Sequence, residues 1–300
     1  REFVTSRLAR GSTVAIMITR GLMNTPVFGN NVFHGARVSD VDVTAQRLKN
    51  VLQKSKTVLA GVGYSMGAII LSNYVARSGP NCYLDTAVAI SGGLDMRGQL
   101  DFHRSMRLWQ PMLASELREM ILVKHRSKYE ERLSKKQFRN LLRATSITEI
   151  DVNAVVNYNK DTFKDLEDYY TEMSAMGDYD SWLHSNGTDV AIGRIGDVSV
   201  PFCVIHALDD PLISWRTMGH NPTKLVQSSN GNDKTGKGNL VMLLTNSGGH
   251  VGWPLGSNPT KHNWSWMHNA AGDFVDGFTK VVQSKGNKFT LRKLNKQKPA

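Results

Sequence analysis

Three hundred residues and 33.3 kDa are enough for one α/β domain carrying an inserted subdomain. With 40 % hydrophobic and 8 % aromatic residues, and no apolar run near the ~18 residues that span a bilayer, the composition argues against a disordered chain and a polytopic one. Two cysteines, Cys82 and Cys203, argue against a disulfide framework. The net charge of +11 is unevenly placed: residues 96–150 carry a surplus of six positive charges, residues 285–300 another six, and the rest sums to minus one. No recognition motif accompanies this charge, so nucleic acid is not an expected partner.

In chain order, residues 1–10 read as an amphipathic helix. Thr13, Val14, Ala15, Ile16, Met17 and Ile18 form an unbroken apolar run that predicts a buried strand. A polar loop with Gly21, Asn24, Pro26 and Gly29 follows. Ser39 with Asp42 resembles a helix start, and Val41, Ala45, Leu48 and Leu52 keep helical spacing after it.

Residues 57–71 then read Thr-Val-Leu-Ala-Gly-Val-Gly-Tyr-Ser-Met-Gly-Ala-Ile-Ile-Leu. A strand-like run ends in Gly-x-Ser-x-Gly and a helical apolar pattern begins at once, the signature of a nucleophile elbow. Gly63 and Gly67, two positions either side of Ser65, are expected to let strand and helix backbones crowd together. The N–H of Met66 would face the oxygen that turns negative during acyl transfer, at the positive end of the following helix. A bare Gly-x-Ser-x-Gly is a weak match in a chain with 26 glycines, so its weight comes from the strand before it and the helix after it.

A serine of this kind needs a base, and the base an orienting acid, in the chain order serine, acid, histidine. A further strand is predicted over residues 85–90. After it, Val200 to His206 reads as a buried parallel strand running into Asp209-Asp210-Pro211-Leu212-Ile213. A last strand over residues 240–245 leads into the Gly-rich loop Gly248-Gly249-His250, flexible enough for a base to reach the serine. Both sites stand at the C-terminal ends of strands, where ligands collect on open parallel sheets. Asp209 and Asp210 cannot both hold the histidine. The Asp-Pro-Leu-Ile turn favours Asp210, leaving Asp209 to cap the next helix or bond the turn backbone. His206, inside its strand, reads as a satisfied core residue. His262 and His268 lack metal-ligand spacing and read as packing residues, so no metal site is expected.

Between about Leu94 and Ser181 no strand signal appears. Leu113, Leu117, Met120 and Ile121 make a helical stripe, and Ser134 with Gln137 and Ser146 with Glu149 look like capping boxes. Met106, Trp109, Met112, Met120, Tyr169, Tyr170, Met173 and Met176 are expected to be mostly core, a minority lining an acyl pocket. Residues 230–238 read as a surface loop, and a helix is predicted from about Trp264 to Val282. The expected organisation is a mostly parallel, doubly wound α/β core over 1–93 and 196–284, a helical cap over 94–195 and a basic tail over 285–300. The tail (Lys285, Lys288, Arg292, Lys293, Lys296, Lys298) is expected to be solvated, with contact to anionic lipid head groups as the sharper reading.

Five segments together resemble the α/β-hydrolase-domain esterases and phospholipases related to the bacterial YheT-like proteins. They are Gly63-Tyr-Ser-Met-Gly67, Thr145-Ser-Ile-Thr-Glu-Ile-Asp151, Asp168-Tyr-Tyr-Thr171 with Ser174, Leu208-Asp-Asp-Pro211 and Gly248-Gly-His250. The resemblance runs from Thr13 to about Val282. It implies an α/β-hydrolase fold and cofactor-free hydrolysis of carboxyl esters of acylglycerols or phospholipids, with the relay on Ser65, Asp210 and His250. It also implies a lipid or other ester as substrate, and a membrane-associated setting if the whole protein carries an anchor. Members of the family have a His-Gly loop after an earlier strand, supplying a second oxyanion donor. That loop and the first strands of the sheet are absent from this stretch, so the sequence is expected to be an N-terminally truncated piece. One lost donor typically costs ~10²–10³ in turnover. Two rival readings keep the same residues: a non-catalytic binding module on this fold, and acyl transfer to an alcohol.

Overall fold

In the computed structural model, which describes residues 2–52, 57–178, 194–230, 239–258, 261 and 264–284, four strands form one parallel sheet in the order β1-β2-β3-β4. They are β1 (Ala60–Tyr64), β2 (Thr86–Ile90), β3 (Phe202–Ala207) and β4 (Leu240–Thr245). Every residue of β2 and β3 is buried, because helices cover both faces of the sheet; this is why both strands read as continuous apolar runs. Side chains alternate across β3: Phe202 and Val204 enter the core on one face, Cys203, Ile205 and Ala207 the core on the other.

On the first face lie α2 (Ser39–Leu52), α3 (Met66–Ser78) and α9 (Pro222–Asn230), contributing Ala45, Leu71, Tyr74, Val75 and Leu225. Residues 68–76 of α3 are buried without a break, which makes it the central helix. On the second face lie α1 (Glu2–Ala9) and the last helix, α10 (Ser265–Ser284). Arg7 joins them, donating to Asp276 at 2.6 Å. The basic tail, His262 and residues 231–238 of the loop expected over 230–238 lie outside the described residues, and Asn230 is the last residue of α9 rather than part of a loop.

Between β2 and β3 the described residues form, besides two short 3-10 turns (Met96–Gln99 and Arg194–Asp197), α4 (His103–Leu108), α5 (Gln110–Arg132), α6 (Lys135–Arg143), α7 (Ile147–Ile150), a π-helical turn (Asp151–Val156) and α8 (Leu166–Met173). No strand lies among their described residues. They form a core of their own around Ala114, Tyr129, Leu141, Ile150 and Tyr158. A second cluster (Val155, Phe163, Tyr169, Tyr170, Met173) joins them to Ile69, Ile213 and the half-buried Met66 of the sheet domain.

Several expectations are corrected. Residues 13–18 are not a strand, and Ile16, Met17 and Ile18 are 71 %, 39 % and 44 % exposed. An apolar run becomes a strand only where a neighbour takes its N–H and C=O groups. β1 is the edge of the described sheet, and residues 13–18 do not join its ladder. Of the Met and aromatic residues expected in the core, Tyr169, Tyr170, Met173 and Met176 are buried, but Trp109, Met112 and Met120 are exposed. Ser134 and Gln137 form a full capping box. Ser146 caps α7 by accepting from Glu149 N–H, yet the Glu149 carboxylate accepts from Thr145, so that box is half made.

Asp151 is buried where the inserted helices meet the core, accepting from Tyr170 Oη at 3.0 Å. Burial pushes its carboxyl up to about 7 from 3.8, the Tyr170 bond opposing this. The folded protein therefore holds this proton more tightly than the unfolded chain between those values. This contribution to stability is full below pH 4 and falls as pH rises to about 7. Asp151→Asn keeps the shape without the charge. Its stability relative to the parent should grow by about 4 kcal/mol between pH 4 and pH 8, as urea unfolding at the two pH values would measure.

Candidate active site

Ser65 sits between β1 and α3 with φ 50° and ψ −121°, a left-handed conformation rare outside glycine. The strain is held by both neighbours. Ser65 N–H donates to Ile90 of β2 at 2.9 Å, and its carbonyl accepts from Ala68 and Ile69 in the first turn of α3. Gly63 has no room for a side chain, since a Cβ there would lie 2.7 Å from the Gly67 carbonyl carbon and 2.9 Å from Ala68 Cα. Gly67 differs from expectation, because a Cβ there meets nothing within 4 Å. The second close approach is made by Gly92, after β2, where a Cβ would lie 2.5 Å from Ala68 Cβ and 2.9 Å from Ile69 N. Gly92 was not singled out from sequence; the run Ser91-Gly92-Gly93 at a strand end was the available signal.

Ser65 Oγ is 2.8 Å from His250 Nε2, and His250 Nδ1 is 2.9 Å from Asp210 Oδ2 and 3.1 Å from Oδ1. A carboxylate only accepts, so Nδ1 carries the proton, and Nε2 presents its lone pair to the serine hydroxyl. Asp210 is 3 % exposed, and its Oδ1 also accepts from Leu212 N–H at 2.8 Å and Ile213 N–H at 3.0 Å. Those bonds fix the carboxylate through its own turn. Met66 is the first residue of α3, where backbone N–H groups have no acceptor within the helix.

Asp209 does neither job expected of it. Its Oδ1 accepts from Gly249 N–H at 2.9 Å, on the histidine loop rather than its own turn. The histidine loop is also more restrained than its glycines imply. Val251 N–H donates to Ser91 Oγ at 3.0 Å, Trp253 N–H to the Gly248 carbonyl at 2.7 Å, and Trp253 Nε1 to Thr245 Oγ1 at 2.8 Å. Trp253 stacks on Trp266 of α10, ring centroids 5.5 Å apart. An open groove of about 600 Å³ runs beside this loop, walled by His250, Trp253, Leu255, Trp264 and Trp266. His206 is fully buried in β3, as expected of a core residue, but neither ring nitrogen has a hydrogen-bond partner. Burial lowers its pKa, keeping a neutral ring close to Asp210.

A parallel sheet covered on both faces by helices, with a strained serine at a strand–helix turn and an acid and a histidine at later strand ends, defines an α/β-hydrolase fold. No family model matches the chain. The monoacylglycerol lipase of Saccharomyces cerevisiae is 24 % identical over 240 residues, 78 % of this chain and 46 % of the yeast protein. The Escherichia coli protein YheT is 23 % identical over 270 residues, 89 % of this chain and 68 % of its own length. A solved structure of a Pyrococcus furiosus esterase aligns with a TM-score of 0.40 at 12 % identity, over 85 % of this chain and 65 % of the esterase. The curated relatives of this chain are thus monoacylglycerol lipases, a phospholipase and other abhydrolase-domain proteins, YheT among them. The chain spans about half the length of most of them.

Proposed function

We propose that the protein to which this chain belongs is a serine hydrolase that cleaves carboxyl esters of lipids, acylglycerols or phospholipids, through an acyl-enzyme on Ser65. The observation that carries the reading is the continuous contact from Ser65 Oγ to His250 Nε2 at 2.8 Å and from His250 Nδ1 to the buried Asp210 at 2.9 Å. As Oγ bonds to the acyl carbon, its proton passes to Nε2, and Asp210 stabilises the imidazolium so formed. The carbonyl oxygen, now negative, accepts from Met66 N–H at the positive end of α3. The imidazolium returns the proton to the departing alcohol. Water then attacks the acyl-enzyme by the same steps in reverse, freeing the acid and Ser65.

The lipid substrate class is supported by the names of the relatives, three of which are monoacylglycerol lipases and one a phospholipase. We take residues 94–195 as a cap over the site, since Met66 and Ile213, each beside the relay, pack with its Val155, Phe163 and Met173. A fluorophosphonate probe applied to the full-length protein should give one adduct, on the tryptic peptide holding Ser65, lost in Ser65→Ala. Long-chain monoacylglycerol and lysophospholipid should release free fatty acid. A full-length parent that folds yet stays unlabelled at Ser65 would sink the proposal.

A further inference from the structure

The paired aspartates and a serine from the neighbouring strand end divide the work of holding the histidine. Asp210 holds the ring. Asp209, beside it at the end of β3, holds Gly249 N–H at 2.9 Å, and Ser91, just past β2, holds Val251 N–H at 3.0 Å. The two bonds grip the backbone immediately before and immediately after His250. We propose that Asp209 and Ser91 are positioning residues that clamp the His250 loop in the arrangement aiming Nε2 at Ser65; this rests on the hydrolase reading of the site.

The backbone explains why a clamp is needed. Gly249, Val251 and Trp253 have φ of 61°, 56° and 54°. Glycine takes such angles freely, but a β-branched valine at φ 56° is a true outlier, and strain of this kind persists only where the surroundings over-determine it. Ser91 is itself in the left-handed region at φ 51°, is fully buried, and donates its own N–H to Ile205 of β3 at 2.9 Å. Its hydroxyl is therefore a fixed acceptor. Asp209 is exposed, so its bond competes with water; Asp210, anchored next to it, sets its place. A loop released at either point relaxes Val251 and swings the imidazole from a hydroxyl it must meet within a few tenths of an ångström. Misplacement of about 1 Å at a reacting centre can cost ~10²-fold.

The test uses the full-length protein and two readouts. In a Ser65→Ala background, where no chemistry occurs, amide hydrogen exchange at Gly249 should speed up in Asp209→Ala, and at Val251 in Ser91→Ala. With Ser65 present, each variant should be acylated by the fluorophosphonate about 10–10²-fold more slowly, with kcat falling and KM unchanged. Asp209→Asn, which keeps the acceptor oxygen, should restore most of the rate. Wild-type labelling rates with unchanged exchange in both variants would overturn the clamp. So would equal loss in Asp209→Asn and Asp209→Ala, which would make charge rather than the bond to Gly249 the cause. If the parent itself is never labelled, the hydrolase reading fails, and the exchange data still report whether the loop is held.

Discussion

Asp210→Asn should lower ester turnover by about 10⁴-fold, with little change in KM and a folded protein. The geometry says why so small a change does so much. Asp210 Oδ1 accepts from the N–H groups of Leu212 and Ile213, so in the variant the amide oxygen must take that place. The NH2 group then occupies the Oδ2 position, 2.9 Å from His250 Nδ1. Two donors cannot face each other there, and the imidazole moves its proton to Nε2. A protonated Nε2 cannot take the proton of Ser65 Oγ, which lies 2.8 Å away. Turnover of a saturating monoacylglycerol measures the loss. A drop of less than tenfold would mean that Asp210 does not set the tautomer. Asp209→Ala, which leaves that bond alone, should cost far less, as the division of labour between the two aspartates requires.

The second large effect concerns the two glycines of the elbow, which look equivalent in the sequence. Gly63→Ala should destabilise the fold by about 3 kcal/mol or more, since its Cβ would meet backbone atoms of Gly67 and Ala68 that belong to the central helix and have no room to retreat. Gly67→Ala should be neutral, or stabilising by about 0.5–1 kcal/mol, because its Cβ enters open space and alanine favours the helix. Denaturant unfolding of the two variants gives the comparison. Equal losses would show that the elbow needs both glycines for a reason other than the packing of β1 against α3.

Part of the site was legible because it is local. A β-branched run, a Gly-x-Ser-x-Gly turn and a helical pattern are adjacent in the chain, and the steric rules joining them act over a few residues. The buried runs of β2 and β3 were equally plain, since a strand covered on both faces has no polar alternation to hide it. Residues 13–18 failed for a related reason. Their pattern is that of a buried strand, but pairing is supplied by a neighbour, which no run of residues contains within itself. Trp109 and Met112 failed likewise: a hydrophobic side chain is core only if another element covers it, and here none of the described elements does.

From its own order of residues, the chain specified a strained serine at a strand–helix turn, an acid and a histidine placed later at two strand ends, and a long helical interruption between β2 and β3. Each is a matter of local backbone preference and periodicity. The Asp-Pro-Leu-Ile turn already favoured Asp210 for the imidazole; tertiary structure brought the pair to Ser65, and it alone decided that Asp209 grips the loop, that Gly92 rather than Gly67 admits the central helix, and that Ser91 belongs to the site at all. Those outcomes depend on contacts between residues 23 to 185 positions apart. Such contacts exist only once the sheet has brought its strand ends to one rim.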